Sequence, residues 1–100
     1  PFLSSAILSA TAIAKGGTEE QKAALLPQMA AAELIVALAS DEAARHQPNR
    51  IATRAEASGN GFRLTGAKPF VLDGHVADKL IVAARTSGAD TDVAGITLFL

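Results

Sequence analysis

The chain has 100 residues and a formal net charge of −1, enough for one modest domain or parts of two. Apolar residues make up 49% of it, which supplies a packed core and excludes a disordered chain. Its Lys and Arg are scattered and only 4% of residues are aromatic, which argues against a nucleic-acid partner. No run of about eighteen consecutive apolar residues is present to span a membrane.

The absence of Cys excludes disulfides, thiol chemistry and Cys-type zinc sites, and is compatible with the cytoplasm, the expected location. The N-terminal run PFLSSAILSATAIA is apolar but lacks a basic start, so it matches a signal peptide poorly. The chain begins at Pro1 without Met and ends on the apolar run GITLFL, so both ends read as cuts.

Taken in order, Leu3, Ile7, Ala10 and Ala14, with Ala6 and Ile13 beside them, recur at helical spacing. Gly16 and Gly17 are expected to end this helix in the left-handed conformation. Thr18 is the expected N-cap of a second helix, with Gln21 completing a capping box and Glu19 and Glu20 in the first turn. Leu25, Leu26 and Met29 carry its apolar face, and Pro27 predicts a kink or a fresh helical turn. Leu34 to Ala39 is a short apolar run that reads as a buried strand. Ser40 to Arg50 is a polar loop.

Residues 51–57 and 62–68 read as a β-hairpin about the turn Ser58-Gly59-Asn60-Gly61. Residues 70–72 are short and extended, and Asp73-Gly74 marks a turn. Leu80 to Ala84 is a continuous apolar strand, 87–92 a polar loop, and 96–100 the last strand. Helices followed by antiparallel strands predict an α+β fold or two domains meeting, with a boundary between residues 32 and 33.

The loop holds Ser40, Asp41, Glu42 and His46. A Ser40–His46–Asp41 triad is disfavoured, because such triads converge from distant segments. Asp41 and Glu42 make a weak acid–base pair, since adjacent residues of an extended chain point opposite ways. His46 and His75 with scattered carboxylates match no metal motif. A solvated loop is favoured over any of these. Arg45, Arg50 and Arg54 with His46 could hold a phosphate-bearing cofactor or coenzyme A, although a solvated charged face is favoured on charge alone. No glycine-rich phosphate loop is present. Phe70-Val71-Leu72 could floor a planar ligand, or simply belong to a core.

Several pieces, in order and spacing, resemble the acyl-CoA dehydrogenase family along nearly the whole chain. They are GTEEQK (17–22), Leu26-Pro27, Ala32-Glu33, ALASDE (37–42), GNGFRLTGAK (59–68), FVLDG (70–74), VADKLIVAART (76–86) and GITLFL (95–100). The clearest marker is the stretch from Gly66 to Thr86. The resemblance implies the end of an N-terminal helical domain (1–32) and the start of a middle β-domain (33–100), the latter an incomplete β-barrel of antiparallel strands.

It also implies FAD as cofactor and oxidation of acyl-CoA thioesters to 2,3-enoyl-CoA. A carboxylate removes the α-proton while a hydride passes to the flavin. That carboxylate belongs to a C-terminal helical domain, so no catalytic residue is assigned in this chain. An electron-transfer flavoprotein or similar acceptor and a homo- or hetero-oligomeric assembly are implied as partners. An acyl-CoA oxidase would share the same region.

The flavin contacts implied by the resemblance are Leu38, Ser40, Asp41, His46 and Gln47 in one segment, with Gln47 also near substrate. Phe70, Val71 and Leu72 form the second. Here Phe70 stands where the family has a flavin-stacking Trp, and keeps an aromatic face. Leu72 stands at a threonine position and lacks its hydroxyl. Asp41 brings negative charge towards a ring that becomes electron-rich on reduction. Ala43, Ala44 and His46 replace the family's proline and glycines, which removes freedom for close backbone approach to phosphate. These departures point to a divergent subtype, or to a catalytically silent assembly subunit of a heteromeric dehydrogenase.

Overall fold

The computed structural model describes residues 2–42, 47–69 and 71–100. Its elements are a π-helical segment Phe2–Ser9, helices α1 (Ala10–Gly16) and α2 (Glu19–Ala30), and strands β1 (Val36–Ala39), β2 (Arg54–Ser58) and β3 (Gly61–Thr65). A 3₁₀ turn (Gly74–Val76), β4 (Lys79–Arg85) and β5 (Ile96–Phe99) follow. The chain divides into two compact units, Pro1–Leu38 with Leu72–Ile81, and Ala39–Val71 with Val82–Leu100.

In the first unit, α2 starts as its sequence dictates. Thr18 Oγ1 accepts from Gln21 N and Gln21 Oε1 accepts from Thr18 N, a complete capping box. Glu19 and Glu20 occupy the first turn, where the helix dipole favours negative charge. The helix runs through Pro27 without interruption, so no fresh helical turn begins there. It buries Leu25 and Met29, which with Ile13, Leu34, Val36 and Ile81 form the apolar core; Leu26 and Leu38 pack against it.

Two expectations about the first helix are corrected. The face turned inward is Ser5, Ser9 and Ile13, at i, i+4 spacing, whereas Leu3 and Ile7 remain exposed. The physical reason is polar: Ser5 Oγ accepts a hydrogen bond from Val36 N at 3.2 Å, satisfying a buried amide at the start of β1. Gly17 does not adopt a left-handed conformation; it is extended at φ −78°. Gly17 is needed for closeness instead, since a Cβ there would lie 2.6 Å from Ile13 O.

The left-handed termination occurs at the other helix. At the end of α2, Glu33 N donates to Gln28 O at 2.8 Å and Ala32 N donates to Met29 O at 3.1 Å. This is a Schellman motif, with Ala32 at φ 58° in the position that glycine normally fills. Further on, Asp78 docks on the residue before β1. Its Oδ2 accepts from Ile35 N, and its own N–H returns a bond to Ile35 O, both at 2.8 Å.

The strands form one mixed sheet in the order β1-β4-β2-β3, with β5 also on β4. The β2–β3 hairpin is antiparallel in the register Arg54↔Thr65 to Ser58↔Gly61, and Gly59 takes φ 59° at the first central position of its turn. β4 and β5 are antiparallel, but β2 and β4 pair in parallel at Arg54↔Arg85. The connection from β2 to β4 passes through β3 and residues 66–78, long enough to cross over and return parallel to β2. The fold is α+β as expected, with a mixed sheet in place of a purely antiparallel one. In the second unit, Phe62 and Phe99 pack with ring centroids 5.0 Å apart and ring planes tilted by 60°.

Candidate functional site

The buried polar chemistry of the second unit gathers at Glu42. Its side chain is 13% exposed, and that of Lys68 is 6% exposed. Lys68 Nζ donates to Glu42 Oε2 at 2.7 Å and to Ser40 O at 3.0 Å. The same carboxylate accepts from Thr53 Oγ1 at 2.6 Å, from Thr53 N at 3.0 Å and from Ala52 N at 2.7 Å.

Burial alone would raise the Glu42 pKa. The hydrogen bonds from Lys68, from the Thr53 hydroxyl and from the Ala52 and Thr53 amides outweigh it and hold the carboxyl at about 2. Glu42 is therefore an anchored anion. A carboxylate this weakly basic is unsuited to taking a proton from carbon near neutral pH. The weak acid–base pairing with Asp41 stays disfavoured, because four donors already engage the Glu42 oxygens; the solvated-loop reading is corrected at Glu42, whose side chain is buried and held by them.

Local sequence explains the geometry. Thr53 offers both its hydroxyl and its amide to one carboxylate oxygen. Gly66 passes so close to Thr53 that a Cβ would lie 2.7 Å from the Thr53 Cα, so only glycine leaves room two residues before Lys68.

A second buried cation, Arg85, is fully inaccessible and has only main-chain acceptors among its described partners. Its Nε donates to Ile51 O at 2.5 Å, Nη2 to Asn49 O and Asp92 O at 2.8 and 2.7 Å, and Nη1 to Ala94 O at 3.2 Å. The planar guanidinium gathers two loop segments that have no sheet partners of their own.

The residues expected at a flavin site lie as follows. Leu38 is partly buried against the core of the first unit, and Leu72 in that unit is 52% exposed. In the second unit, Ser40 and Asp41 are half-buried, and the Ser40 carbonyl is held by Lys68. Gln47 is half-buried; its Oε1 accepts from Arg50 Nη1 at 3.3 Å and its carbonyl accepts from Arg50 N at 3.0 Å. Val71 is half-buried. His46 and Phe70 lie outside the described residues, as do Ala43, Ala44 and Arg45. Among the candidate phosphate-binding arginines, Arg54 is engaged with Gly88 O at 2.8 Å and Asp90 at 2.9 Å, and Arg50 with Gln47.

Sequence reasoning missed the partnership of Glu42, Lys68 and Thr53, and the role of Arg85. Glu42, Lys68 and Arg85 all sit in the matched pieces, but nothing in their spacing ties residue 42 to residue 68. Among the described residues no cluster of three or more His, Asp or Glu could hold a metal ion, and no helix is long and apolar enough to cross a membrane.

No family model matches the chain. The long-chain specific acyl-CoA dehydrogenase of Rattus norvegicus mitochondria is 39% identical over 90 residues, covering 88% of this chain and 21% of the relative. The crystal structure of acyl-CoA dehydrogenase from Geobacillus kaustophilus superposes with a TM-score of 0.77 at 35% identity, over 92% of this chain and 24% of that one. A solved chain described with the electron transferring flavoprotein of Acidaminococcus fermentans and flavin-based electron bifurcation superposes with a TM-score of 0.80 at 33% identity, over 90% and 24% respectively. The chain thus spans about a fifth of the curated relative's length. In sequence and in fold, from its capped helix to its Lys68-anchored sheet, the chain belongs to the acyl-CoA dehydrogenase family.

Proposed function

We propose that this chain contributes flavin and substrate contacts to an FAD-dependent acyl-CoA dehydrogenase that oxidises acyl-CoA thioesters to 2,3-enoyl-CoA. Residues 1–32 belong to the end of its N-terminal helical domain and 33–100 to the start of its middle β-domain. The observation that carries this is the bond from Lys68 to the Ser40 carbonyl and Glu42. It joins the polar segment after β1 to the chain leading into residues 70–72, the two segments to which flavin contacts are assigned.

What supports an apolar ring is the chemistry of single residues: Leu72 is aliphatic and exposed, Val71 is aliphatic and half-buried, and Ser40 carries a hydroxyl. The family resemblance assigns flavin contacts to Phe70, Val71 and Leu72 in one segment and to Leu38, Ser40, Asp41, His46 and Gln47 in the other, with Gln47 also near substrate. FAD, when bound, supplies the hydride acceptor. The residues of this chain bind and orient; the family resemblance assigns the proton-abstracting carboxylate to another domain, and Glu42, engaged by four donors, is not a substitute for it. An electron-transfer flavoprotein is the acceptor that fits this chemistry.

A second reading is a silent assembly subunit of a heteromeric dehydrogenase. It is favoured by Leu72, which exposes an apolar side chain at a position where a hydroxyl would serve the flavin. One experiment decides between the two. The full-length protein is purified, its visible flavin absorbance measured, and acyl-CoA added anaerobically. Stoichiometric flavin that bleaches on addition supports the dehydrogenase. A colourless protein that takes up no added FAD sinks that reading and leaves the silent subunit.

A further inference from the structure

We propose that Lys68 and Glu42 form a positioning clamp that sets the flavin-facing segment around Asp41 relative to the chain running on to Val71. The proposal rests on the flavin site described above and goes beyond it, since neither residue is assigned a flavin contact.

The geometry carries it. Lys68 Nζ holds residue 40 through its carbonyl at 3.0 Å and residue 42 through its carboxylate at 2.7 Å. Asp41 is thereby bracketed at both of its neighbours by one ammonium group. The carboxylate is itself immobilised by the Ala52 and Thr53 amides and the Thr53 hydroxyl, which lead into β2. The clamp is thus referenced to the sheet rather than to a loose loop. Lys68 lies three residues before Val71, so the same side chain ties the second segment to the first.

Both side chains are buried, at 6% and 13% exposure. A buried ion pair contributes little net stability compared with apolar residues of the same volume, so stability alone is a poor account of it. What such a pair does supply is a fixed geometry for the groups around it, as partners one step removed from a ligand do when they orient the contacting residues. Lys68 and Glu42 are accordingly positioning residues, not catalytic ones.

The test uses the full-length protein with Glu42→Gln, which keeps the side-chain shape, and Lys68→Met, with Leu25→Ala as a control that weakens the core of the first unit. Three quantities are read: FAD affinity by titration of the apoprotein, the visible circular dichroism of bound flavin, and apoprotein melting. The clamp predicts FAD binding weaker by roughly tenfold in both variants, the order for losing one charge-assisted hydrogen bond. It also predicts an altered flavin dichroism that the control does not show. If Lys68→Met does not fold, Glu42→Gln alone decides. Unchanged affinity and dichroism in a folded variant overturn the proposal. So does an affinity loss that merely tracks melting as it does in the control. A parent protein that binds no FAD defeats the flavin site itself and the clamp with it; a parent that binds FAD beside unaffected variants defeats the clamp alone.

Discussion

Lys68 Nζ lies 2.7 Å from Glu42 Oε2, and this contact makes the protein's stability sensitive to acid. The Glu42 carboxyl is held at about 2 in the folded state, against 4.5 for an ordinary glutamate. A depressed folded-state pKa means that the contribution is fully present above about pH 4.5. It declines as pH falls through the window between 4.5 and 2, and is gone below it. Measured against its own protonated form, it is on the order of 3 kcal/mol at 1.36 kcal/mol per pKa unit, a pH-linked quantity and not the pair's net worth against apolar residues. Urea unfolding followed across that window should show stability falling with acid in the parent, and a shallower fall in Glu42→Gln. Parallel profiles would remove Glu42 as the source.

Arg85 makes the opposite kind of anchor, a buried cation held by carbonyls alone among its described bonds. Arg85→Lys keeps the charge but replaces a planar fork with a point donor that cannot reach carbonyls on four residues. Losing two or more of these bonds at a buried site costs about 2–4 kcal/mol. The loss should appear as a lower melting temperature. Hydrogen exchange should also quicken at the Ile51 amide, which donates to Asp90 O at 2.8 Å across the two segments that Arg85 gathers. Unchanged exchange at Ile51 would mean that the segments hold without the guanidinium.

Ala32 sits at φ 58°, where an L side chain crowds the following carbonyl. That conformation costs an alanine about 1–2 kcal/mol, while glycine's extra freedom in the unfolded chain returns part of the difference. Ala32→Gly should therefore stabilise the protein by about 0.5–1 kcal/mol, read as a higher denaturant midpoint at unchanged slope.

Ser9 is fully buried and its Oγ has no hydrogen-bond partner among the described residues. A hydroxyl desolvated without a partner costs about 1–3 kcal/mol. Ser9→Ala removes that cost and little volume, so a gain of about 1 kcal/mol is expected in thermal or denaturant melts. A loss would reveal a bond made by this hydroxyl in solution.

Local signals were the ones legible in sequence. Thr18 and Gln21 are three residues apart and form the capping box that spacing predicts. The Gly59 turn, the hairpin and the apolar strand into Arg85 likewise follow from neighbours in the chain. What sequence did not disclose is long-range. Glu42 meets Lys68 across 26 residues, and Arg85 reaches Asn49 across 36. Neither has a periodicity to betray it. The first helix departs from its pattern for a related reason: its apolar residues suggest one face, but Ser5 is drawn inward by an amide 31 residues away. Of the candidate flavin residues, sequence supplied the positions through family resemblance. The hold of Lys68 on Ser40 and Glu42 adds a physical link to the chain leading into the second segment.

Leu72 offers the most direct chemical test of the flavin assignment. It is 52% exposed, so replacing it touches little packing, and a surface change of this kind shifts stability by about 0.5 kcal/mol or less. Leu72→Thr would restore a hydroxyl able to donate to a flavin acceptor. One new hydrogen bond of ordinary strength is worth about 1 kcal/mol, or roughly five- to tenfold in affinity. The full-length Leu72→Thr protein should therefore bind FAD more tightly by that factor at unchanged melting of the apoprotein. The gain should vanish in Leu72→Val, which matches threonine in shape and lacks the hydroxyl. Equal affinity in the two variants would place Leu72 away from any flavin acceptor atom.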